Sequence, residues 1–292
     1  MHRLAIYYEN RLGRNDGNPL YVWNDLKNRQ KDNELEIDHF IPDGDVHVFG
    51  NYDFHLYVDW GEDALYGMLP YVPFKTPKPN LCWMSDTHLD GGWRLEKAKE
   101  FDIVFFAQQS AVEDAKKAGI EHALWLPHAV CPQAYPNYEI PGKKTDICFV
   151  GHINSGNRID ALDTMFKEFP NFFYGQRLFE EAARKYCESK IVFNISIKDD
   201  LNMRCFEALA TGSFLLTNDI PELHAVFEDG KHLVTYKDMD EAVEKAKYYI
   251  EHDEEREKIA REGMRYVLEN HTIHHRVNRM LEEINKKLEV KV

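Results

Sequence analysis

The stretch Asn202-Met203-Arg204-Cys205-Phe206-Glu207-Ala208-Leu209-Ala210-Thr211-Gly212-Ser213-Phe214-Leu215-Leu216-Thr217 most constrains the fold. It reads as a loop, a short helix, a glycine stop and a buried strand. The apolar run Ile191–Ile195 just before it reads as another buried strand. Asn202 suits an N-cap, and Gly212 stands where a helix should end. On this helix Arg204, Glu207 and Thr211 share one face at i, i+3, i+7, while Phe206, Leu209 and Ala210 point elsewhere. A helix start at the carboxyl edge of a parallel sheet is a natural phosphate site. A carboxylate one turn further in can accept two hydrogen bonds from ribose hydroxyls. On spacing alone, an i, i+3 surface ion pair accounts for Arg204 and Glu207 equally well.

The rest of the chain repeats this texture. Leu4–Tyr8, Ile37–Phe40, Val46–Phe49, His55–Val58, Leu81–Trp83, Ile103–Ala107 and Ala123–Leu126 read as strands. Leu20–Lys27, Leu95–Glu100 and Ala111–Ala118 read as helices between them. From Cys131 to Lys144, prolines, a glycine and two lysines give a linker composition. A second α/β series then runs from Ile147, through helices over Ile159–Phe169 and Phe179–Glu188, to a strand at Leu233–Tyr236. Asp238-x-x-Glu241 reads as a capping box for the first of three closing helices. The expected fold class is α/β, with two Rossmann-like domains and a helical C-terminus. Their expected bounds are 1–136 and 146–292, with a linker at 137–145.

Several strand-end loops carry chemistry. Gly151-His152-Ile153-Asn154-Ser155-Gly156-Asn157-Arg158 follows a strand and precedes a helix, so Gly151 and Arg158 are candidate phosphate contacts. An ordinary βα loop is the competing reading. Asp86 and His88, in another strand-end loop, are a candidate proton-transfer or orienting pair. A turn-capping Asp86 and a hydrogen-bonded loop His88 are the plainer alternative. Asp59, Trp60 and Glu62 offer an aromatic face beside carboxylates, which suits a carbohydrate ring or a solvated acidic turn. Asn15, in a Gly-rich loop after the first strand, and His128, before the linker, complete the candidates. His128 reads equally as a buried, satisfied histidine.

Composition excludes some roles. A net charge of −14 over 292 residues argues against non-specific nucleic-acid binding. No apolar run approaches the roughly 20 residues of a membrane span, and no signal-peptide pattern opens the chain. Five cysteines without Cys-x-x-Cys spacing fit a reducing cytoplasm. Cys148 and Cys205 read as core thiols.

The run from Asn202 to Thr217 resembles the donor-site motif of GT-B glycosyltransferases, in particular their CgeB-like or spore-maturation-type branch. The similarity extends to Asp86-Thr87-His88, to Leu126-Pro127-His128-Ala129-Val130 and to His271-Thr272-x-x-x-Arg276. It covers nearly the whole chain and is strongest from Cys148 to Arg276.

The resemblance implies a GT-B architecture, with the donor on the second domain and the acceptor mostly on the first. It implies a glycosyltransferase that moves a sugar from a nucleotide-sugar co-substrate, a UDP-sugar, to an acceptor hydroxyl without a bound metal. A related Glu-x7-Glu pattern puts Glu207 on the donor ribose and Asp199, in place of the first Glu, near the donor sugar. Asn202, Arg204 and Arg158 would stabilise the leaving diphosphate. Retention is favoured over inversion. The spacing of His271, His274 and His275 then reads as a capped structural helix, not a metal site. Glycan, protein, small-molecule and modified-DNA acceptors stay open. So do nucleotide-sugar epimerisation on the same scaffold and a non-catalytic sugar-nucleotide or glycan-binding role.

Overall fold

The computed structural model describes residues 2–8, 17–32, 35–40, 51–59, 78–88, 92–153 and 156–289. They form two compact units, residues 1–127 with 273–292, and residues 128–272.

The first unit is a parallel sheet in the order β2-β1-β3-β4-β5-β6. Its strands are β1 (His2–Tyr7), β2 (Leu35–Phe40), β3 (Phe54–Val58), β4 (Asn80–Met84), β5 (Ile103–Phe106) and β6 (Ala123–Trp125). Every residue of β3 and β4 is buried, as in a parallel sheet covered on both faces. Helices α1 (Asn18–Lys31), α2 (Gly92–Ala98) and α3 (Gln109–Lys117) connect them. Pro19 opens α1 in its first turn, where no N–H partner is lost.

The second unit has the order β11-β10-β9-β7-β8, again all parallel. Its strands are β7 (Thr145–Val150), β8 (Phe172–Gly175), β9 (Ser189–Asn194), β10 (Phe214–Asn218) and β11 (Val234–Tyr236). Between them run α4 (Gly156–Glu168), α5 (Phe179–Glu188), α6 (Met203–Ala210) and α7 (Pro221–His224). Then come α8 (Met239–Glu251) and α9 (Asp253–Asn270), and α10 (Ile273–Glu289) ends the described chain. The glycine stop closes α6 as a Schellman motif. Gly212 has φ 71°, its N–H donates to Leu209 O, and Ser213 N–H donates to Ala208 O. Asp238 caps α8 by accepting from Glu241 N–H at 2.9 Å.

Two boundaries differ from the sequence reading. Helix α10 belongs to the first unit, not the second. Its apolar stripe Ile273, Val277, Met280 and Ile284 is buried, and polar contacts fix its exposed side to α1. There Arg29 Nη2 donates to Asn278 Oδ1, and His274 Nδ1 lies 2.9 Å from Asp25 Oδ1. The proline-rich stretch before β7 is no free linker. It lies within the second unit, with Tyr138 Oη bonded to Glu180 and Lys143 Nζ to Cys187 O. The expected strand Val46–Phe49 falls outside the described residues.

Candidate functional site

In an open parallel sheet, ligands sit beyond the carboxyl ends of the strands, where the strand order reverses. In the second unit the chain leaves β7 for β8 on one side and returns to β9 on the other. The reversal therefore lies between β7 and β9. The loop after β7 carries Gly151, and the loop after β9 carries Asp199 and leads into α6.

Two arginines meet there. Arg158, in the first turn of α4, is buried. Its Nε donates to Ile195 O at 2.9 Å and its Nη1 to His152 O at 3.1 Å, which ties the two loops together. Arg204, the second residue of α6, donates from Nε to Val150 O at 2.6 Å and from Nη1 to Asn194 Oδ1. Both guanidinium groups approach one aromatic ring, with Arg204 Cζ 4.5 Å and Arg158 Cζ 5.7 Å from the centroid of Phe149. Among the described residues neither arginine forms an ion pair with a carboxylate. Burial first, and then the like charge of Arg204, push Arg158 below the usual arginine range. Two guanidinium groups thus meet between β7 and β9, and the buried Asp200 carboxylate offsets part of the charge at Arg158.

Gly151 makes this packing possible. A Cβ there would lie 2.0 Å from Arg204 Nη2, so the close approach requires glycine. Glu207 is half-buried one turn into α6. Its charge and that of Arg204 both act on Tyr186. Burial chiefly, with help from Glu207, pushes this fully buried phenol far up, while Arg204 pulls it down. Asn202 occupies the N-cap position but makes no side-chain cap bond. Its Nδ2 reaches toward Asn194 Oδ1 at 3.5 Å. Lys198 and Asp199 are both exposed with left-handed φ of 50° and 55°, a conformation that non-glycine residues rarely adopt.

In the first unit the reversal lies between β1 and β3. The loops after these strands include Asn15, Trp60 and Glu62, which lie outside the described residues. Asp59 at the end of β3 is buried, and its Oδ2 accepts from Arg94 Nε at 2.7 Å. Arg94 is fully buried and also feels the charge of Asp86. Two carboxylates read separately in the sequence thus flank one buried cation. Asp59 compensates that cation, because a buried guanidinium without a counter-charge is costly. Asp86 follows β4 with φ 56°. Gln108 Oε1 holds the next residue by accepting from both Thr87 N and Oγ1. His88 is half-buried in the same turn. His128 is buried at the start of the second unit. Of the three closing histidines, His274 bonds to Asp25, while His271 packs among Phe206, Phe227 and Tyr266.

Sequence reasoning missed Asn194, Tyr186 and Arg94. Asn194 had a signal, since it is a lone carboxamide inside the apolar run Ile191–Ile195. A polar side chain buried in a central strand needs partners, and partners mark a site.

Residues 151–282 match the family model of glycosyl transferase-like domains, a span that contains both arginines and Glu207. The chain superposes on sucrose-phosphate synthase from Thermosynechococcus elongatus at a TM-score of 0.64 and 10% identity, over 100% of both chains. It superposes on Anabaena HepE, solved with UDP and glucose, at 0.63 and 12%, over 98% of this chain and 100% of that one. A third similar structure, from Listeria monocytogenes and assigned as a UDP-N-acetylglucosamine 2-epimerase, gives 0.58 and 13%, over 98% and 96%. The fold is GT-B. The family match covers residues 151–282, less than half of the chain, and the superpositions show the fold. None of the curated protein sequences compared with the chain matches it. Among the described residues, no helix is long and apolar enough to cross a membrane.

Proposed function

We propose that this chain is a nucleotide-sugar-dependent glycosyltransferase of the CgeB-like branch, with its donor site between the ends of β7 and β9. The observation that carries this reading is the Arg158–Arg204 pair. Two guanidinium groups are held side by side, bonded to neutral acceptors among the described residues, at the point where an open sheet takes its ligand. A diphosphate supplies the missing negative charge. As the sugar leaves, charge builds on the nucleoside diphosphate, and groups already fixed in place stabilise it without reorganising.

The remaining roles follow from position. Glu207, one turn into α6, accepts from the donor ribose. Asp199 and its left-handed neighbour stand by the donor sugar. UDP is the nucleotide, a choice supported by the UDP bound to Anabaena HepE. The arginine pair takes the electrostatic role of a metal ion, and the reaction retains anomeric configuration. The acceptor hydroxyl is oriented by Asp86 and His88. The protein works in the cytoplasm, where its free cysteines stay reduced.

Thermal melting against a panel of nucleotides and nucleotide sugars tests the donor site. Ligand at 100 times its dissociation constant adds about 2.7 kcal/mol of stability. A shift with UDP or one UDP-sugar that disappears in Glu207→Ala is the expected result. No shift with any nucleotide would remove the donor assignment. Donor consumed without acceptor to give an epimer would replace transfer with epimerisation.

A further inference from the structure

The geometry points to Asn194 as a positioning residue that holds Arg204 without neutralising it, so that the whole guanidinium charge is kept for an anionic ligand. This rests on the donor-site reading above. Asn194 ends β9 and is fully buried. Its Oδ1 accepts from Arg204 Nη1, and its Nδ2 donates to Thr217 Oγ1 at 2.8 Å. Thr217, on the neighbouring strand β10, therefore steadies the amide end of the carboxamide. Arg204 can only donate, so the carbonyl end of Asn194 faces it and the amide end donates to the hydroxyl. Asn202 Nδ2 approaches the same oxygen from the start of α6. The backbone oxygen of Asn194 is held too, accepting from Tyr236 Oη at 2.8 Å. The anchor is thus fixed on three sides before any ligand arrives.

The chemical choice matters as much as the placement. Aspartate has the same shape as asparagine and would bond Arg204 more strongly. It would also cancel the charge on Arg204 inside a poorly solvated site, where a unit charge acts strongly. Among the described residues this pair bonds to neutral acceptors, with Asp200 acting on Arg158 only through its charge. Arg204 has Val150 O and Asn194 Oδ1, and Arg158 has Ile195 O and His152 O. A cluster built for stability alone gains from a carboxylate here. A cluster built to receive a diphosphate does not.

Asn194→Asp separates the two. Calorimetric titration of UDP, pyrophosphate and uridine into wild type and N194D, with a melting curve for each, reads the effect. The expected result is an N194D protein that melts no lower than wild type. It binds UDP and pyrophosphate weaker by about tenfold or more, with uridine unchanged. N194D binding UDP and pyrophosphate as tightly as wild type would overturn the inference. A merely structural strut would lower the melting temperature and leave the preference for UDP over uridine intact, which also overturns it. If N194D does not fold, Thr217→Val removes the hydroxyl that steadies the carboxamide, and the same selective loss of anion binding is expected. Wild type that binds pyrophosphate but not UDP ends the nucleotide reading, and the N194D comparison on pyrophosphate then decides the role of Asn194. Wild type that binds neither overturns both.

Discussion

Gly151 and Arg204 share one space. The missing side chain of the glycine is where the arginine's Nη2 lies, 2.0 Å from a would-be Cβ. A loop glycine after β7 and a helix arginine after β9 are therefore one device. The glycine exists so that the cation can cross the gap between the strands and reach Val150 O.

Gly151→Ala is expected to dislodge Arg204 while leaving the sheet intact. UDP affinity should fall by about tenfold or more, since a displaced charge-assisted contact is worth roughly 1.5–3 kcal/mol. Calorimetric titration beside a thermal melt checks this. An alanine protein that binds UDP normally would show that the contact is irrelevant to the ligand.

Arg158→Met removes a buried charge together with its bonds to Ile195 O and His152 O. The buried Ile195 carbonyl left orphaned costs about 1–3 kcal/mol, the part-buried His152 carbonyl costs less, and removing a disfavoured buried charge offsets part of that. The expected protein is modestly less stable alone and gains no stability from UDP. Urea melts with and without UDP read both quantities.

Asp59 is expected to matter for stability and not for nucleotide. Asp59→Ala leaves Arg94 buried without its bonded carboxylate, and breaking one side of a buried ion pair costs about 3–5 kcal/mol. Denaturant unfolding should show this loss, while folded protein keeps its UDP affinity. An undiminished stability would contradict the pairing.

Acidification should loosen the first unit through His55. Burial holds its pKa down at about 4, and its Nδ1 lies 2.8 Å from Tyr7 Oη. Unfolded histidine titrates near 6.5, so between those values the unfolded chain binds the extra proton. Stability is full above the unfolded value and falls as pH drops toward 4, by at most about 3 kcal/mol from this group. The slope should flatten in His55→Gln. An equal slope in both proteins would assign the acid sensitivity elsewhere.

Much of this arrangement was legible in the sequence where local chemistry decides it. The stop at Gly212 and the cap at Asp238 formed as read, because turn and cap preferences are local. The pairing of Gly151 with Arg204 was not legible, because it joins residues 53 apart through a strand order that no local pattern encodes. The return of α10 to the first unit escaped for the same reason. Its apolar stripe shows that it packs, not on what. The partner of Asp59 was not legible either, because a carboxylate at a strand end looks alike whether it faces solvent or a buried arginine. Asn202 stands at the N-cap as read, but its contact with Asn194 was not legible, because it joins the helix start to a buried strand residue.

A crystal structure of the chain with UDP tests the central claim most directly. The account expects the diphosphate between the ends of β7 and β9, with its oxygens on Arg158 and Arg204 and the ribose on Glu207. UDP bound elsewhere, with both arginines untouched, would contradict it.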